Sequence, residues 1–172
     1  MGFSIRKTIL DYVAPQRKLS CARNLWSNLL VGLHRRTEDC HESGAFLLGT
    51  VETDRRVRQV VYFDDLDIGT YRTGACVINR IAFSKLWDLC RATGLEVVAD
   101  IHVHPSGAYQ SVEDKTNPTV PRSGHIAIIL PNYARAPVRI SDIGIYEYVS
   151  KQCWKSLGHA KAKKYLYIGR LG

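Results

Sequence analysis

A chain of 172 residues, 45% hydrophobic and 23% charged, has the size and composition of one globular domain, expected here over residues 1–172, and can bury a substantial core without disulfides. The five cysteines, at 21, 40, 76, 90 and 153, form no C-x-x-C pair and are odd in number, which argues against a disulfide framework or a cysteine zinc site and fits reduced thiols in the cytoplasm. The net charge of +8 is dispersed over Arg17/Lys18, Arg35/Arg36, Arg55/Arg56/Arg58 and Lys161/Lys163/Lys164, so solvated faces are expected rather than a nucleic-acid surface, and no apolar run reaches membrane length.

Arg6, Lys7 and Asp11 interrupt the short apolar N-terminus, which reads as neither signal peptide nor anchor. Residues 4–13 are apolar enough for an edge strand closed by Pro15. From Arg17 to Arg36 the positions Leu19, Ala22, Trp26, Leu29, Leu30 and Leu33 recur at helical spacing and predict an amphipathic helix with Trp26 as a core anchor. Glu42 then heads an apolar run to Val51 that reads as a central strand buried on both sides. A carboxylate there is costly to bury without a partner, and taken alone it reads as a solvated cap beside His41. Arg56–Asp67 alternates like the returning strand of a hairpin that turns near Thr53–Asp54. Asp64, Asp65 and Asp67 lack the spacing of a calcium loop and are expected in a solvated loop that continues to Gly74 as a candidate flap. Ala75–Ile78 is predicted as a short strand, and Arg80–Thr93 as a helix with Ile81, Leu86, Leu89 and Cys90 on one face and Gly94 as its stop.

The next stretch, V-V-A-D-I-H-V-H-P-S-G-A-Y-Q-S-V-E-D from Val97 to Asp114, carries the chemistry. An apolar strand runs into the turn Pro105-Ser106-Gly107, and strand alternation points His102 and His104 to one face. Beyond the turn Ser111 and Asp114 are three apart, on one side of a helical turn. Two imidazoles and one carboxylate would leave a zinc ion a fourth position for water, the arrangement of a catalytic site. Asp100 shares the face of the histidines and is expected either to orient a ligand imidazole or to be a solvated strand-end carboxylate. Pro118 and Pro121 stiffen a following loop; His125–Leu130 is a buried strand with His125 an ordinary strand histidine; Val138–Val149 supplies a strand or a pair around Gly144. Trp154 and the basic C-terminal residues finish the chain. The fold class is α/β (α+β), a mixed sheet with helices on its flanks.

E-S-G-A-F-L-L-G from Glu42, followed by H-V-H-P-S-G and S-V-E-D, resembles the JAMM/MPN (JAB) metallopeptidases, and the later G-H-I-A-I-I-L-P-N-Y-A and I-G-I-Y-E-Y are similar to the prokaryotic JAB branch. One departure is visible: six residues separate His104 from Ser111, where the family motif has seven. The resemblance implies the MPN/cytidine-deaminase-like three-layer arrangement, a curved mixed sheet between helices with one zinc per chain at its edge. It implies His102, His104 and Asp114 as zinc ligands, Glu42 as the general base and acid, and Ser111 as the donor to the developing oxyanion. It further implies hydrolysis of peptide or isopeptide bonds at the C-terminus of a ubiquitin-like protein or its conjugate. Related bacterial proteins are encoded beside ubiquitin-activating and ubiquitin-conjugating enzyme-like proteins, some in anti-phage operons, which makes such proteins expected partners. H-V-H-P-S-G also resembles the RadC-like proteins once associated with DNA repair, so the alternatives are a nucleic-acid-associated protein or an MPN scaffold without activity. Against these stand the complete set of five residues and the absence of a helix-turn-helix signature.

Overall fold

The computed structural model describes residues 18–51, 55–72, 76, 78–158 and 161–170. Eight strands form one mixed sheet: β1 (Leu19–Ala22), β2 (Gly44–Val51), β3 (Arg55–Tyr62), β4 (Glu96–Val103), β5 (Ile126–Leu130), β6 (Gly144–Ser150), β7 (Cys153–Ser156) and β8 (Leu166–Gly169). Their spatial order is β7-β6-β5-β4-β2-β3-β1-β8. β1 is parallel to β3 and β8, β4 is parallel to β5, and the other neighbours are antiparallel. The helical segments are α1 (Arg23–Thr37), α2 (Phe63–Leu66), α3 (Arg80–Thr93), α4 (Val112–Thr116) and α5 (Ala162–Tyr165). No helix among the described residues is long and apolar enough to cross a membrane.

Alternation along the central strands divides the core between the two faces of the sheet. Ala45 and Leu47 on β2, with Ile101 and Val103 on β4, pack with Trp26, Leu29 and Leu33 of α1. Phe46 and Leu48 point the other way, against Phe63 of α2 and Ala82 and Leu86 of α3. Each fully buried Leu or Phe of this kind contributes roughly 1.5–3 kcal/mol. The central strands therefore read as unbroken apolar runs, as expected of strands covered on both sides. His102 and His104 alternate with Ile101 and Val103, so they lie on the α3 face.

Several predicted boundaries differ from the observed ones. The helix expected from Arg17 begins at Arg23, because Leu19–Ala22 is claimed as β1 by hydrogen bonding between β3 and β8, with Cys21 fully buried. Burial pushes the Cys21 thiol up to about 12, which keeps it protonated and inert. The returning strand stops at Tyr62 and gives way to α2. The acidic residues expected in a solvated loop all have partners: Arg36 Nε meets Asp64 at 2.7 Å and its Nη2 meets Asp65 at 3.1 Å, while Asn79 Nδ2 donates to Asp67 at 2.5 Å. The Arg36 guanidinium also lies over the Tyr62 ring at 3.7 Å. Cys76 and Ile78 are not in a strand, and Ile81 faces solvent rather than the core. Trp154 sits on β7, and the basic C-terminal stretch holds α5 and the edge strand β8. The expected strand at 4–13, the turn at Thr53–Asp54, and residues 73–75 and 77 lie outside the described residues.

Candidate metal centre

The site forms where the chain leaves β4. His102 is the penultimate residue of that strand and pairs with Gly44 of β2 on one side and Ile129 of β5 on the other. A side chain at Gly44 would have its Cβ 2.2 Å from the Phe63 ring and 3.0 Å from the Ile101 carbonyl oxygen, so glycine is required beside the histidine. His104 lies just past the strand, yet its backbone is held at both ends: its N–H donates to the Leu130 carbonyl at 2.9 Å, and its carbonyl accepts from Tyr133 N–H at 2.8 Å. The Ser106 carbonyl accepts from Asn132 N–H at 3.0 Å. The donors Asn132 and Tyr133 open a run of three successive residues, Asn132, Tyr133 and Ala134, at φ 52, 54 and 55. Left-handed conformation costs a non-glycine residue roughly 1–2 kcal/mol, so the turn persists only because its surroundings impose it. Pro131-Asn132 marks the end of the strand in the sequence, and asparagine tolerates the left-handed region, but no glycine announces the two left-handed residues that follow.

After the Pro105-Ser106-Gly107 turn the chain crosses β6, where Gly144 gives it room: a Cβ there would sit 2.1 Å from the Ala108 carbonyl oxygen. The chain then enters α4 through a reciprocal cap. Ser111 Oγ accepts from Asp114 N–H at 3.0 Å, and Asp114 Oδ2 accepts from Ser111 N–H at 2.7 Å. This cap fixes the carboxylate while leaving the serine O–H free to donate.

The donor atoms converge. His102 Nε2 and His104 Nε2 are 3.0 Å apart, Asp114 Oδ1 is 3.3 Å from His102 Nε2, and Asp114 Oδ2 is 3.3 Å from His104 Nε2. Ligands bonded at about 2.0–2.1 Å in a tetrahedral arrangement stand roughly 3.3 Å from one another, so the three residues fit one face of such a metal ion's coordination sphere. Glu42, two residues ahead of β2 rather than inside it, places Oε1 3.6 Å from His104 Nε2. Its backbone is pinned from both sides: His41 Nδ1 bonds the Glu42 carbonyl at 2.9 Å, and the buried Ser43 hydroxyl donates to Leu33 at 2.8 Å. Tyr71 stacks on His41 and bonds both backbone groups of Gly44 at 3.3 Å, tying down the segment expected to be a flap.

Electrostatics make this a cluster that needs a cation. For His102, burial is the largest influence and would lower its pKa, but the hydrogen bond and charge of Asp114, with Asp100 and Glu42 beyond, outweigh it and raise the imidazole above its ordinary value. Burial alone would raise Asp114, yet hydrogen bonds from both histidines, the His102 charge and the Ser111 N–H hold it far below the usual carboxylate range. The same arrangement that favours a proton on His102 favours a metal ion among the three side chains.

Asp100 does not reach a ligand imidazole. Its Oδ1 is bonded to His125 Nε2 at 2.5 Å, and both side chains are almost wholly buried. His125, expected to be an ordinary strand histidine, is thus the partner of a buried carboxylate, a pairing that sequence separation concealed. A cavity of about 610 Å³ opens on the α3 face, with Glu42, His102, Ser111 and Asp114 at one end and Asp100 in its lining. A second set of donor atoms, on Glu38, Cys40 and His41, also lies within 4.8 Å, in the exposed turn after α1. Its signal was the run E-D-C-H, which sequence reasoning passed over.

No family model matches the chain. Over 75 residues, 44% of this chain, it is 29% identical to the "Probable metalloprotease y4jG" of Sinorhizobium fredii (strain NBRC 101917 / NGR234), of whose length it covers 46%. The fold is similar to the solution structure of protein DSY2949 from Desulfitobacterium hafniense, with a TM-score of 0.60 and 15% identity over 87% of this chain and 92% of the other. A solution structure of a protein from Salinibacter ruber (strain DSM 13855) overlaps with a TM-score of 0.46 and 19% identity, over 75% of this chain and 84% of that one.

Proposed function

We propose that this chain is a zinc-dependent metallopeptidase that hydrolyses peptide or isopeptide bonds at the C-terminus of a ubiquitin-like protein or its conjugate. The observation that carries the reading is the convergence of His102, His104 and Asp114 at 3.0–3.3 Å beside Glu42, on the wall of an open cavity. Two imidazoles and a carboxylate suit zinc among the common divalent ions. The partial likeness to a probable metalloprotease supports peptidase chemistry, and the sequence resemblance to the JAMM/MPN family supports the ubiquitin-like substrate class.

A zinc ion held by His102, His104 and Asp114 would act as a Lewis acid and make a nucleophilic water available near neutral pH. Glu42, whose Oε1 faces the ligand atoms, would take a proton from the attacking water and return it to the leaving amine. Ser111 donates its O–H to the substrate carbonyl oxygen as that oxygen gains charge, since its own Oγ is held in place by Asp114 N–H. Asp114 stays ionised throughout, because its hydrogen bonds favour the charged form.

The test pairs metal content with cleavage of a ubiquitin-like C-terminal fusion. The wild-type protein should carry about one zinc per chain, and Glu42→Gln should keep it while losing hydrolysis by roughly 10²- to 10⁴-fold. Undiminished cleavage by the variant removes the role given to Glu42. A wild-type protein that takes up no metal removes the reading altogether.

A further inference from the structure

The cavity over the candidate metal centre continues beyond the ligands. Its lining includes both His102 and Asp100 of β4, and two residues of strand carry it roughly 7 Å along the sheet. Two polar groups in that lining play no part in the chemistry proposed above. Asp100 is 2% exposed; its Oδ1 is taken by His125, and among the described residues nothing bonds its Oδ2. Gln110 is 8% exposed, and its side-chain amide likewise has no partner among the described residues. No side-chain nitrogen or oxygen that is sealed from solvent lacks a partner among those residues, so both free groups open into the cavity.

The surroundings define what would satisfy them. Phe83, Ile78, Pro118 and Trp154 supply apolar walls, and among the described residues no lysine or arginine lines the cavity, although the chain carries 24 of them against 16 acids. A buried carboxylate oxygen beneath apolar walls suits a cation on a long apolar stem, whose methylenes lie along the walls while its head donates to the acid. The depth of the acceptor decides which cation. Asp100 is 2% exposed among these apolar walls, and its backbone stands about 7 Å along β4 from that of His102. A lysine or arginine stem reaches such an acceptor, whereas an α-amino group, which has no stem, does not.

We infer that the cavity is a specificity subsite for a cationic side chain, lysine or arginine, carried by a substrate residue next to the scissile bond. Asp100 is its acceptor, Gln110 offers a further polar contact, and His125 is the positioning residue that fixes Asp100. This rests on the peptidase reading, whose site it extends.

Binding of two small probes tests it without hydrolysis. Nα-acetyl-lysine amide and Nα-acetyl-norleucine amide share a stem and differ in charge; calorimetric titration of the metal-loaded protein should show the lysine probe binding roughly tenfold to a hundredfold tighter. Asp100→Asn should erase that preference. If that variant fails to fold, Asn117→Lys serves instead: it places a cation on an exposed residue of the lining and should weaken the lysine probe alone. Equal binding of the two probes, or a preference unchanged in the variants, overturns the subsite. Norleucine amide with a free α-amine binding as well as the lysine probe would place the cation on the main chain and overturn the side-chain assignment. Cleavage of the ubiquitin-like fusion without any lysine preference would remove the subsite and leave the peptidase reading; selective binding without cleavage would do the reverse.

Discussion

The buried group His102, His104 and Asp114 and the exposed group Glu38, Cys40 and His41 each bring three donor atoms within 4.8 Å, but they are built differently. The first draws on β4, the turn behind it and the cap of α4, with Gly44, Gly144 and a left-handed turn each giving way so that it can form. The second takes its three donors from one run of four residues in a surface turn, where Glu38 and Asp39 take positive φ and water competes for the exposed Glu38 and Cys40. Proximity alone is therefore a weak guide. What separates the two is how much of the fold would have to move for the donors to part, and how little water reaches them.

The comparison breaks most readily at Asp114. Asp114→Ala should cost zinc affinity more than the roughly 10- to 100-fold lost when a ligand's hydrogen-bond partner is removed, because it deletes a proposed ligand and half of the reciprocal cap together. Metal content after dialysis against a competing chelator measures it. Full retention would mean that the metal resides elsewhere, with the exposed turn the first place to look.

Acidity offers a second way to separate the groups. In the metal-free protein the raised His102 pKa contributes stability that is complete below the ordinary histidine value and fades as pH climbs through the raised one. The depressed Asp114 pKa contributes stability present above the ordinary carboxylate value and lost as pH falls through the depressed one. Zinc bound as proposed would displace the His102 proton, so its affinity should rise by about tenfold per pH unit up to that raised pKa and then level off. The chelated and the loaded protein should accordingly show opposite stability trends across neutral pH in thermal melts. Parallel trends would mean that the bound metal is not in competition with that proton.

How much of this was legible from residues alone follows from the range of the signals. H-x-H at a strand end, S-x-x-D after a turn and an apolar run behind Glu42 are local patterns, and local patterns survive in a sequence. Strand alternation was enough to put His102 and His104 on one face, and the sheet flanked by helices followed from the order of apolar runs. What stayed hidden depended on partners far along the chain. Leu19–Ala22 carried a helical pattern yet became a strand, because β3 and β8 hydrogen-bond it from residues 55–56 and 166–169. Asp100 met His125 across 25 residues, and Arg36 met Asp64 across 28. The turn after β5 was signalled by Pro131-Asn132, but its continuation in left-handed conformation through Tyr133 and Ala134 was not, since tertiary hydrogen bonds rather than glycine hold it there.

If preorganisation is what the buried group gains from its surroundings, then loosening the scaffold without touching a ligand should weaken it too. Gly44→Ala drives a methyl group into the Phe63 ring, which is itself packed on Phe46 with centroids 4.9 Å apart and has little freedom to yield. A cost of roughly 1–3 kcal/mol is expected, which lowers the melting temperature by roughly 2–4 °C for each kcal/mol. Because Gly44 pairs directly with His102, zinc affinity should fall with it. A lowered melting temperature with unchanged zinc affinity would show that the donor set tolerates a displaced strand, and would weaken the contrast with the surface turn.

The smallest effect is expected in the exposed group itself. Glu38→Gln combined with Cys40→Ser removes two of its three donors while sparing His41, whose ring holds the Glu42 carbonyl. Cys40 is exposed and Glu38 terminates α1 in a left-handed conformation that glutamine can adopt equally, so stability should change by no more than about 0.5 kcal/mol. Tightly held zinc should remain at the wild-type ratio, and only metal that a weak chelator strips should decline. Were the double variant to lose tightly bound metal, three donors in a surface turn would have done what the buried set is built to do, and burial would no longer distinguish the two.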